Sequence, residues 1–267
     1  MKFKVMNYNI LNGICNEEKP FILDEKRLAK IVKILQKEDP DILVLTEAYF
    51  WPFAKKDNLE NYSNLFNNFC KLYAPAQNQF RWAPVVFSRF PIEFTDFSEY
   101  HKTFLRTSIQ IGKNKLFLDV VHPYPELVEK EKTELITKVL ESHKEPYILT
   151  GDFNSLSPDD NYNPEKLLEG YRKFMKDKAG FKIKDMLQCQ MIKIVLTNGL
   201  IDTYKSKHEK FDYTVPTNLR SSNKESAARM DYIFCSRNFK VVESGIIKNK
   251  FTEDASDHYP VYAVLEI

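Results

Sequence analysis

Residues 3–9 (FKVMNYN) alternate side-chain character at the period of a strand. Between 24 and 39, Leu28, Ile31, Val32, Ile34 and Leu35 recur at close to helical spacing, and Pro40 stops the helix. DILVLTE (41–47) is a short apolar run that closes on a carboxylate, as a buried strand does. NYSNLFNNFCKLY (61–73) predicts a helix. APVVFSRFPIEF (83–94) predicts two strands broken at Arg89-Phe90-Pro91. TSIQI and KLFLDVV form a hairpin around GKNK. Residues 126–144 predict an amphipathic helix, and PYILT (146–150) the strand after it. The segment 157–200 is helical and polar in patches, with SPDDNYNPEKLL as a loop leading into a helix. Its lysine-rich stretch, 166–184, predicts a solvated helical face. RMDYIFCS, KVVESGII and YPVYAVLEI supply the last strands. Linkers rich in Gly and Ser, repeats and low-complexity tracts are absent, so a single mixed α and β domain over 1–267 is expected.

Several of these strands end or begin on residues that are poor strand formers. Asn9 closes the first, Glu47 the second and His122 the run FLDVV. Asp152 and Asn154 follow YILT, Asp231 opens DYIF, and Asp257-His258 precede the last strand. Each has an ordinary structural reading. TGDFN is a good turn sequence, Glu47 suits a helix cap, His122 before Pro123 suits a loop, and Asp231 has Arg229 nearby to pair with. Taken together they form a set of oxygen donors with two imidazoles. That set suits a hard divalent cation and proton handling. Serine-nucleophile elbows, HExxH and P-loop patterns are absent.

Composition narrows the picture modestly. The chain has 267 residues, 43% of them apolar, and a net charge of +2, so no broad basic field exists and phosphate recognition has to be local. The four cysteines lack CxxC spacing, which argues against a zinc site or a disulfide framework. With no signal-like leader and no apolar run of membrane-spanning length, a cytoplasmic protein without a membrane span is expected. Nothing predicts an oligomer.

In chain order, NYNILNG, PDILVLTEAY, VVFSRFPI, LDVVHPYP, TGDFNSL, RMDYIF and SDHYPV resemble the motif series of the endonuclease/exonuclease/phosphatase superfamily, from residue 3 to residue 266. The resemblance implies a four-layer αββα sandwich, an α/β fold of two packed mixed β-sheets flanked by helices. It implies a phosphoric ester hydrolase using Mg²⁺ or Mn²⁺, with Glu47 as central metal ligand, Asn9 beside it and Asp257 close by. It further implies that Asp152, held by Asn154, positions or deprotonates the attacking water. His258 contacts a phosphoryl oxygen, charged and oriented by Asp231. His122 stands where deoxyribonuclease I-like members carry histidine and exonuclease III-like members tyrosine. The glutamate that pairs this histidine in deoxyribonuclease I has no clear counterpart near NQFRWAPVVF.

The substrate is less defined. HPYP in place of NTHL and the loop SLSPDDNY match no particular branch, and GDFN differs from the GDTN usual in tyrosyl-DNA phosphodiesterases. A nuclease acting on DNA or RNA phosphodiesters is expected. The alternatives are a phosphatase or phosphodiesterase for a small-molecule or lipid phosphate, and a binding module that has kept the fold. Trp51, Phe53 and Trp82 are candidates for an aromatic wall, with a core role the stronger reading for Trp82.

Overall fold

The computed structural model describes residues 1–16, 22–48, 71–73, 84–96, 104–220 and 224–267. Trp51, Phe53 and Trp82 lie outside them, as does most of the helix expected over 61–73.

Two mixed sheets face each other. In the first, the order is β11 (Lys240–Ile246), β12 (Val261–Glu266), β1 (Lys2–Asn9), β2 (Ile42–Thr46), β4 (Val85–Ser88), β3 (Lys71–Tyr73). In the second, it is β5 (Ile92–Asp96), β6 (Phe104–Ile111), β7 (Asn114–Val121), β8 (Tyr147–Asp152), β10 (Asp231–Cys235), β9 (Ile201–Asp202). Strands β1 and β2 run parallel, as do β7 and β8, and the other pairs are antiparallel.

Alternation along each strand decides what fills the space between the sheets. Phe3 and Val5 of β1 meet Leu118 and Val120 of β7, Ile148 of β8 and Ile233 of β10 in one buried cluster. Opposite faces take helices. Met6 and Tyr8 of β1 pack on Ile31, Ile34 and Leu35 of α1 (Glu25–Glu38), which Asp24 caps by accepting from the backbone N–H of Lys26 and Arg27. Leu149 and Phe234 pack on Leu135, Ile136 and Val139 of α2 (Glu129–Glu141) and on Met191, Ile192 and Val195 of α5 (Gln190–Thr197). The result is helix, sheet, sheet, helix. Helices α3 (Pro164–Met175) and α4 (Ala179–Met186) close a smaller cluster around Leu156 and Met230.

One expectation changes. Lys71–Tyr73, at the end of the expected helix 61–73, is a strand because it pairs with β4. APVVFSRFPIEF forms the two strands expected, broken at Arg89-Phe90-Pro91, and these three residues carry the chain from one sheet to the other. Asp152 closes its strand, as its place after YILT suggests: it is the last rung of β8, opposite Asp231, and ladder pairing overrides its poor strand propensity. The lysine-rich face is solvated as expected, apart from Lys182, which is half-buried with its ammonium on the Pro125 carbonyl.

Gly151, between Thr150 and Asp152, shows how tightly β8 meets β7. Its φ is 140°, and a Cβ there would sit 1.9 Å from the Val121 carbonyl oxygen. Gly151→Ala is expected to lower unfolding stability by about 3 kcal/mol or more, through backbone strain plus overpacking. Urea denaturation checks it, and a loss under about 1 kcal/mol would show that β7 and β8 can separate there.

Candidate active site

Parallel pairing puts the ends of β1 and β2 side by side, and antiparallel pairing brings the start of β12 next to them. In the second sheet the ends of β7 and β8 adjoin the start of β10. Asn9, Glu47, Asp257 and His258 therefore hang from one sheet, and His122, Asp152, Asn154 and Asp231 from the other.

The hydrogen bonds that join the two groups cross between sheets. The Asn9 amide nitrogen donates to Glu47 Oε1 at 3.1 Å and to Asp152 Oδ2 at 3.1 Å, while Asn9 Oδ1 accepts from Leu11 N–H at 3.0 Å. Asn9 thus ties two carboxylates to one nitrogen. His258 Nδ1 lies 2.7 Å from Asp231 Oδ2, and its Nε2 3.7 Å from Asp152 Oδ2. His122 Nε2 approaches Asp152 Oδ2 at 3.6 Å and Glu47 Oε1 at 3.9 Å. Its Nδ1 is buried without a hydrogen-bond partner among the described residues. Asn154 donates its backbone N–H to Asp152 Oδ1 at 2.9 Å and its amide to the Pro123 carbonyl at 3.0 Å. That second bond links the GDFN turn to the residue after His122.

Burial separates the set. Asp152 and Asp231 are almost wholly buried, whereas the side chains of Glu47 and Asp257 keep 18% and 24% of their exposure. The latter two can thus reach a solvated cation, which retains several waters. Among the described residues, ligand atoms of Asp152, Asp231 and His258 lie within 4.8 Å of one another. The 2.7 Å bond between His258 and Asp231 already engages two of these three. Burial favours the neutral His258 ring, but the carboxylates of Asp231 and Asp152 outweigh it and hold the imidazole well above the ordinary histidine range. A protonated ring is a donor and not a metal ligand.

Local sequence explains the frame around these groups. After β1 the chain takes positive φ at Leu11, Asn12 and Ile14, and the Asn12 N–H reaches Glu47 Oε2 at 2.8 Å. The buried Arg27 holds that loop by donating to the carbonyls of Ile10, Leu11 and Cys15, and also to that of Ala255. Ser256 Oγ donates to the Asn9 carbonyl at 2.6 Å, and Arg220 Nε stands 3.7 Å from Asp257 Oδ2. Arg229 does not pair with Asp231. It donates to Asp160 at 2.8 Å and Asp202 at 2.7 Å, leaving Asp231 to His258. Arg27 was legible in principle, since it sits four residues before Ile31 on the stripe that α1 buries. Arg220 and Ser256 carry no such signal.

Paired mixed sheets between helical layers thus carry a polar cluster that spans both sheets at one end. The chain belongs to the endonuclease/exonuclease/phosphatase family, whose model matches residues 6–258. Members of that family are mostly hydrolases of phosphoester bonds, typically with divalent metals. An AP endonuclease from Archaeoglobus fulgidus has a similar fold, with TM-score 0.71 and 17% identity, over 99% of this chain and 100% of that one. D. rerio TDP2, in complex with a single-strand DNA product, matches with TM-score 0.66 and 15% identity, over 100% and 99%. A functionally unknown conserved protein from Enterococcus faecalis V583 matches with TM-score 0.70 and 13% identity, over 98% and 99%. No curated protein sequence matches the chain. Among the described residues, no helix is long and apolar enough to cross a membrane.

Proposed function

We propose that this chain is a divalent-metal-dependent phosphodiesterase that hydrolyses nucleic-acid phosphodiester bonds. The carrying observation is the bridge of Asn9 to Glu47 and Asp152, with both histidines converging on Asp152. The carboxylates of Glu47, Asp152, Asp231 and Asp257 outnumber the cations His258 and Arg220 that stand against them. An excess of hard oxygen donors at a partly open mouth fits Mg²⁺ or Mn²⁺. Glu47 and Asp257 would hold the ion, with Asn9 beside them. When bound, the ion supplies positive charge to the phosphoryl oxygens and makes a coordinated water more acidic.

The protein groups divide the remaining work. Asp152 is held on one oxygen by Asn9 and on the other by Asn154 N–H, which aims it at the attacking water. His258, charged and oriented by Asp231, donates from Nε2 to a phosphoryl oxygen as negative charge develops. His122 faces the same carboxylate from the neighbouring strand β7 and donates to the leaving oxygen. A module that merely bound a ligand has no use for a buried carboxylate flanked by two imidazoles, and this favours catalysis. Hydrolysis of single-stranded DNA, double-stranded DNA, RNA and an aryl phosphodiester, each with and without Mg²⁺, tests the proposal. Metal-independent binding of all four without turnover would overturn it, and turnover of the aryl ester alone would move the substrate to a small phosphate ester.

Two expectations follow for the histidines. Asp231→Asn removes the carboxylate that raises His258, so the imidazolium is lost at lower pH and the alkaline limb of the rate profile moves down. An unmoved limb would mean that another group sets it. His122→Ala should slow an alkyl phosphodiester at least about 10-fold more than an aryl one, because a phenolate leaves without a proton. Equal slowing would assign His122 to phosphate binding.

A further inference from the structure

Helix α2 turns two charged residues, Glu129 and Lys132, onto the face that it buries, in line with Leu135, Ile136 and Val139. Both are fully buried. The Lys132 ammonium donates to the backbone carbonyl of Asn154 and lies 3.6 Å from Glu129 Oε1. Glu129 Oε2 accepts from the Met191 N–H at 3.1 Å, and the Glu129 N–H donates to Asp185 Oδ2 at 3.0 Å. From α4, Lys182 donates to the carbonyl of Pro125. Two lysines from the helical layer thus end on two backbone carbonyls, one in the loop after β7 and one in the loop after β8.

An apolar side chain at 132 would complete the α2 stripe and avoid taking an ammonium out of water, which is costly unless the charge is well paired. Burial presses Lys132 toward its neutral form, and the carboxylates of Glu129, Asp185 and Asp152 act against this. What the lysine holds is an uncommon conformation. Asn154 has φ of 47°, a left-handed geometry that is uncommon outside glycine and that asparagine tolerates better than most residues. In that turn its N–H caps Asp152 Oδ1 while its amide reaches the Pro123 carbonyl.

We propose that Lys132 is a positioning residue that pins the Asn154 carbonyl and thereby fixes the orientation of Asp152. Its kinetic consequence rests on the phosphodiesterase reading, whereas its structural consequence does not. The test is the double variant Glu129→Gln/Lys132→Met, which removes both buried charges together and keeps their shapes. With the folded state confirmed by circular dichroism, kcat should fall about 100-fold while KM stays within about threefold, as for a misaimed catalytic group. A merely structural lysine would lower the melting temperature and leave kcat intact, and that result would overturn the proposal.

Amide hydrogen exchange provides the independent arm. In wild type the Asn154 amide should be protected like the strand amide of Leu149, and in the variant it should exchange at least about 10-fold faster while Leu149 is unchanged. Equal protection of Asn154 in both proteins overturns the proposal whatever the activity. If wild type hydrolyses none of the substrates, the functional reading fails and exchange alone decides the role of Lys132. If the variant does not fold, the wild-type amide decides: an Asn154 amide that exchanges as freely as an open turn shows that nothing pins it.

Discussion

Asp152→Asn should lower turnover by about 10²–10⁴-fold, the usual loss when a positioned base is removed, with little change in substrate affinity. The substitution preserves shape. The carboxamide would keep its oxygen for the Asn154 N–H, now bonded at 2.9 Å, and Glu129 and Asp185 would remain beside Lys132 in the helical layer behind it. Its NH₂ would then face the Asn9 amide, so one buried hydrogen bond is lost, at about 1 kcal/mol of stability. A loss of rate far beyond that figure has to come from the transition state. Measurement of kcat and KM on one phosphodiester separates the cases. Near-normal kcat with a raised KM would move Asp152 from catalysis to substrate binding.

Glu47→Gln should abolish the response to divalent metal. A ligand present at 100 times its Kd stabilises the folded state by about 2.7 kcal/mol, which for a chain of this size raises the melting temperature by on the order of 5–10 °C. Wild type should show that rise with Mg²⁺ or Mn²⁺, and the variant almost none. The new side-chain amide would still accept from the Asn12 N–H, now 2.8 Å from Glu47 Oε2, so the loop after β1 should hold its shape. An undiminished thermal shift in the variant would place the cation elsewhere, with the Asp152, Asp231 and His258 group the next position to test.

Much of this molecule is written locally. The helical spacing of Ile31, Ile34 and Leu35, and the apolar run ILVLT, depend only on neighbouring residues and their periods, so α1 and β2 appear in the sequence where they appear in the structure. Asn9, Glu47, His122, Asp152, Asp231 and His258 could be picked out for a related reason. A polar group at the end of an apolar strand is out of character with its surroundings, whatever the fold.

Partners are another matter. Beside Asp231 in sequence stands Arg229, yet its hydrogen-bonded partner is His258, and Arg229 turns to Asp160 and Asp202. Asn9 meets Asp152 across 143 residues of chain. APVVFSRFPIEF shows two strands and a break, but not that the strands end in opposing sheets. Lys132 sits among residues that predict an ordinary helix, and only the packing of α2 against β8 places its ammonium on the Asn154 carbonyl. Periodicity states which face of an element is buried, but not what it is buried against. Which sheet meets which, and hence which charge meets which, is settled by the sum of long-range packing once the two sheets close.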